Sequence, residues 1–113
     1  MRLYRVEDDE KTGAYSMRDI EGNNVISSKE CDQHPMPLND PALRDIIEEN
    51  AYNWFFAFES LEHLRAWFME DLCEPLRAAG AAISVIEVQR YALGEKQAIF
   101  HADEKVLIER IPL

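Results

Sequence analysis

Long apolar runs are missing from this 113-residue sequence, and so are an excess of basic charge and any cluster of glycines. No stretch approaches the roughly 20 consecutive apolar residues that cross a bilayer, so a membrane partner is not expected. The first residues carry no apolar signal-peptide core, and a cytoplasmic location follows as the expectation. Only two cysteines are present, Cys31 and Cys73, and they read as reduced thiols rather than a disulfide framework. The four glycines, Gly13, Gly22, Gly80 and Gly94, are too scattered to build a phosphate-cradling loop. With 12 Lys+Arg against 22 Asp+Glu, the net charge of −10 repels DNA and RNA, which excludes direct nucleic-acid binding as an expectation. What remains is 47% hydrophobic and includes two Trp, five Phe and four Tyr, a composition that builds a core. The length suits a single domain that buries roughly two-thirds of its unfolded surface.

The order of patterns predicts an α+β domain with a mostly antiparallel sheet. Leu3–Val6 is a short strand ended by Glu7-Asp8-Asp9-Glu10, and Lys11-Thr12-Gly13 reads as a turn. Residues 14–39 show no sustained period beyond a turn at Gly22-Asn23-Asn24. A loop that long is commonly functional or ordered by a partner. Asp40-Pro41 opens a short helix over about 41–49, Asp as cap and Pro at the first helical position. Residues 54–58 alternate Trp54, Phe56 and Phe58 on one side with Phe55 and Ala57 on the other, which predicts a strand buried on both faces. Ser60 caps the main helix, about 60–79, with Leu61, Leu64, Trp67/Phe68, Leu72 and Leu76 as its apolar stripe and Gly80 as its left-handed end. A kink or restart is expected at Pro75. Strands follow at 82–91, 97–101 and 105–111, the last two as a hairpin. The predicted core is Tyr4, Val6, Phe56, Phe58, Leu61, Leu64, Phe68, Leu72, Val85, Ile99 and Ile108.

The charge is unevenly placed. Residues 1–74 hold 17 acids and 7 bases, a difference of 10, while residues 75–113 hold 5 of each and are neutral. The outward acids Asp45, Glu48 and Glu49 of the first helix form one half of a candidate partner-binding surface. Glu59, Glu62, Glu70, Asp71 and Glu74 around the second form the other half. Carboxylates so spaced can imitate a row of phosphates and occupy a Lys/Arg-lined channel. A zinc site from Cys31-x2-His34 with His63 and Cys73 is not expected. His63 and Cys73 would stand nearly three turns apart on one helix, roughly 15 Å. No metal is therefore assigned, and His101 reads as a strand-end side chain.

Two resemblances add to these readings. The order of Arg5 on the first strand, Ser60 between a strand and a helix, and a late Glu95-x-Gln97 segment resembles small ADP-ribosyltransferase-like domains. That resemblance implies NAD as cofactor, with Arg5 on its phosphate or ribose, Ser60 leading into the helix that supports nicotinamide, and Glu95-x-Gln97 at the ribose. Gln97 stands where the family places its catalytic glutamate. An amide cannot supply negative charge to a developing cation, so the resemblance implies an NAD-binding domain that either transfers ADP-ribose or, with Gln97 at that position, has lost the activity. The chain also resembles, in style, the small acidic accessory proteins of phages and mobile elements, which often block host complexes. That implies a cytoplasmic, non-enzymatic, cofactor-free protein, monomeric or a small homo-oligomer. It would bind a protein with a basic surface, as an inhibitor or anti-defence factor.

Overall fold

A computed structural model describes residues 1–26, 43, 54–68, 70–94, 97–101 and 105–113, with the backbone alone for Tyr15, Glu70 and Asp71. The expected 41–49 helix and its acids Asp45, Glu48 and Glu49 lie outside these residues, as do 27–39, Cys31, His34 and Glu95. Leu43 alone represents that stretch, and it is fully buried against Ile99.

The described residues form the α+β class the sequence predicts, with six strands and two α-helices. The strands are β1 (Arg2–Glu7), β2 (Trp54–Ala57), β3 (Ala82–Val88), β4 (Tyr91–Leu93), β5 (Ala98–His101) and β6 (Lys105–Ile111). They do not make one sheet. β3 lies between β1 and β6 in a first antiparallel sheet, and β5 lies between β2 and β4 in a second. A bridge from Tyr4 to Phe58, with both backbone bonds at 2.8 Å, joins them at a corner. The expected strand over 82–91 divides at Gln89-Arg90, where the chain leaves one sheet for the other. The expected terminal hairpin is also replaced, because β5 pairs with β2 and β4 while β6 returns to β3.

The main helix is two helices, α1 (Leu61–Trp67) and α2 (Glu70–Ala78). Ser60 takes an extended conformation and its hydroxyl accepts a 3.1 Å hydrogen bond from the His63 amide, as an N-cap should. The break comes at Phe68, with φ −98° and ψ 87°, and Pro75 lies inside α2 rather than ending it. Leu64, Phe68, Leu72 and Leu76 all reach one core across this break. Gly80 closes α2 at φ 99°, a conformation that costs glycine nothing.

Residues 14–26 are more regular than the sequence suggests. Ala14–Ser16 form a 3-10 turn, Arg18 bridges Asn24, and Ala14, Met17 and Ile26 are buried. The turn at Gly22, φ 84°, is present, with its amide bonded to the Asp19 carbonyl at 3.0 Å.

The first sheet has two dissimilar faces. Val6 and Ile83 face α1 and α2 in the main core, with Phe58, Leu64, Phe68, Leu72 and Leu76. Phe58 is the aromatic hub, 5.4 Å from Trp67 and 5.8 Å from Phe68 between ring centroids. On the other face Leu3, Ile86 and Val88 pack on Ala57, Ala98 and Phe100 of the second sheet. The predicted core is right at Val6, Phe58, Leu64, Phe68, Leu72, Val85 and Ile99, while Tyr4, Phe56 and Leu61 are partly buried at its edge. Ile108 is not core. β6 is an edge strand, and Val106, Leu107 and Ile108 are 63%, 51% and 44% exposed. Phe55 is also exposed, so β2 is not covered on both faces.

Candidate functional site

β1 alternates its side chains, so Arg5 and Glu7 point to the same face as Leu3. Register places Arg5 opposite Ser84 of β3. Both charged side chains are buried: Arg5 is 5% and Glu7 4% exposed. Arg5 Nε donates to Glu7 Oε2 at 3.1 Å, and an Arg5 terminal nitrogen donates to the Phe56 carbonyl at 2.7 Å. The guanidinium also lies 5.1, 5.5 and 5.9 Å from the ring centres of Phe55, Phe56 and Phe100. Burial pushes the Arg5 pKa down, and the charge and hydrogen bond of Glu7 oppose that shift. Gly13 completes the cage: a Cβ there would come within 2.5 Å of an Arg5 nitrogen.

The residues singled out in the sequence fall into separate places. Arg5 is held by Glu7 and the Phe56 carbonyl, and Ser60 caps α1. Gln97 is buried and lines a crevice with Glu59, His63, Leu93, Gly94 and Ala98, a crevice with no room for a water-sized molecule. Arg5 does not line that crevice. The grouping implied by the ADP-ribosyltransferase-like resemblance is therefore not assembled among the described residues. The Arg5–Glu7 pair escaped the sequence analysis, although its spacing of two within a strand was the signal that could have revealed it. His101 is buried, edge-on to Trp54 at 5.6 Å. Cys73 is buried and its thiol donates to the Phe68 carbonyl at 3.0 Å. His63 instead faces Glu59, with Nδ1 3.6 Å from the carboxylate.

The acids of the first two-thirds divide by role. In the acidic tetrad, Glu7 turns inward. Asp8 Oδ1 accepts amide hydrogen bonds from Glu10 and Thr12, both at 2.9 Å, and Asp9 pairs with Arg110. Asp19 likewise closes its own turn by accepting from the amides of Glu21 and Asn23. Glu62 in the first turn of α1 sits at the favourable end of the helix dipole. Glu59, Glu62 and Glu74 are exposed, as are Asp9, Glu10, Asp19 and Glu21. Glu70 and Asp71 occupy the first turn of α2. Among the described residues no helix is long and apolar enough to cross a membrane, and no group of three or more His, Cys, Asp or Glu is placed to hold a metal.

Neither a curated protein nor a solved structure matches the chain. A family model described as Bacteriophage T4 Y00F protein matches residues 1–113, the full span of the sequence. The chain thus belongs to that bacteriophage protein family.

Proposed function

We propose that this phage-family protein acts by binding another protein, one with a basic surface, through the acidic two-thirds of its chain. One observation carries the reading. The whole excess of ten negative charges lies in residues 1–74, and the acids there whose side chains are described are exposed except Glu7 and the half-buried Asp8. An acidic surface of that extent steers basic partners and repels nucleic acid itself. Occupying a nucleic-acid-binding surface of a host complex is the finer form of the same reading. Arg5, Ser60 and Gln97 are each engaged within the fold, which favours protein binding over ADP-ribosyl transfer.

The test is affinity capture from a bacterial host lysate at low and moderate salt, with the wild type beside a Glu62→Lys/Glu74→Lys protein. A single partner retained at low salt, released at moderate salt and lost by the charge-reversed protein is expected. Equal recovery of the same proteins by both forms, or recovery indifferent to salt, overturns the reading.

A further inference from the structure

A surface cavity of about 130 Å³ lies where the 8–11 turn meets the far face of the first sheet, apart from the helix acids. Its walls are Glu7, Asp8, Asp9 and Lys11, Ser84 and Ile86 of β3, and Lys105, Leu107 and Arg110 of β6. The three carboxylates are already engaged. Glu7 holds Arg5, Asp8 holds two amides of its own turn, and Asp9 holds Arg110. The donors are not. The Ser84 hydroxyl is buried, in a residue 1% exposed, and has no hydrogen-bond partner; Arg110 Nε is likewise buried and unpartnered. Lys105 has no carboxylate within ion-pair distance among the described residues, and its ammonium lies 5.9 Å from the Phe100 ring centre.

Buried donors left without acceptors cost about 1–3 kcal/mol each, so a pocket that collects them asks for an acceptor. Local charge agrees despite the acidity of the whole chain. Lys11, Lys105 and Arg110 balance the three carboxylates, and Arg5 behind Glu7 adds a fourth cation. Burial pushes the Lys105 pKa down, Glu7 opposes that shift, and Arg5 and Lys11 add smaller downward pushes. A partly desolvated ammonium without an ion-pair partner gains from a bound anion. Size sets the class, because a cavity of about 150 Å³ holds a molecule as large as benzene. The donors come from three side chains on two strands, β3 and β6, rather than one planar fork, which suits a tetrahedral ion better than a carboxylate. We propose that this cavity is a binding site for a phosphate-sized tetrahedral oxyanion, held by Ser84, Lys105 and Arg110.

The test is a titration of the full chain with inorganic phosphate, a small phosphate monoester, acetate and chloride at matched ionic strength, followed by backbone amide NMR. Saturable shifts centred on Ser84, Lys105 and Leu107 are expected with phosphate and not with chloride. Lys105→Met is expected to weaken binding at least tenfold, and Ser84→Ala several-fold, with both variants keeping the wild-type spectrum elsewhere. The ester arm separates free phosphate from a phosphorylated ligand: binding of both indicates a cavity open to a substituent, and binding of phosphate alone indicates the free ion. Equal shifts with chloride, tighter binding of acetate, or phosphate binding unchanged in both variants overturns the site. Should Lys105→Met fail to fold, Ser84→Ala carries the same decision.

Discussion

The two faces of the first sheet solve the same problem with opposite chemistry. Toward the helices, Val6 and Ile83 join Phe58, Leu64 and Phe68 in a face that needs only shape and area. Toward the second sheet, apolar Leu3, Ile86 and Val88 share their face with Arg5, Glu7 and Ser84, residues that are charged or polar and just as buried. An apolar face loses stability in proportion to what is removed. A polar face loses it when one member of a set is removed and its partners are stranded. Breaking that contrast takes substitutions on both faces.

The largest effect on the apolar face is expected from Phe68→Ala, about 3–5 kcal/mol of unfolding free energy, because Phe68 is 1% exposed. Urea denaturation reads it directly, and an unchanged midpoint would remove Phe68 from the core. On the polar face, Glu7→Ala leaves the Arg5 charge buried and uncompensated and is expected to cost about 3–5 kcal/mol. The contrast sharpens in the double variant Arg5→Met/Glu7→Leu, which removes both charges and is expected to recover most of that loss. A double variant as unstable as Glu7→Ala would mean that the pair itself, and not the stranded charge, holds the sheets together. The smallest effect is Gly13→Ala, about 1–3 kcal/mol, since the added methyl displaces a guanidinium that Glu7 and the Phe56 carbonyl pin in place. In the Arg5→Met background the Gly13→Ala cost should largely vanish, and thermal melts of the four combinations measure that coupling.

How much of this was legible follows from the range of the interactions. Ser60 and Gly80 could be read because a cap and a left-handed helix end are decided within a few residues. The stripe Leu64, Phe68, Leu72 and Leu76 could be read as apolar, but the break at Phe68 could not. Pro75 carried the stronger local signal, and only the shape of the core overrides it. Strand pairing was not legible, because only three residues separate β5 from β6, a spacing that promises a hairpin, while β2 and β3 lie farther away in sequence. Ile108 reads as core for the same reason: apolar composition does not say that a strand is an edge. Of the candidate site, the location of the acidic excess was readable by counting. The cavity was not, since Ser84, Lys105 and Arg110 meet only through the β3–β6 register.

That register also sets the order in which the molecule can be built during synthesis. β3 is the middle strand of the first sheet, with Arg2 opposite Glu87 on one side and Lys105 opposite Val88 on the other. While the ribosome is still making the middle of the chain, β1 has no partner and must wait as an open ribbon. The sheet is complete only once Ile111 has been released to pair with Ile83. Loop closures of that length slow folding and leave strand edges open to wrong partners. Assembly of the first sheet therefore waits on pairings distant in sequence, and Arg2, Lys105 and Arg110 on β1 and β6 are well placed to keep waiting strands from sticking to one another.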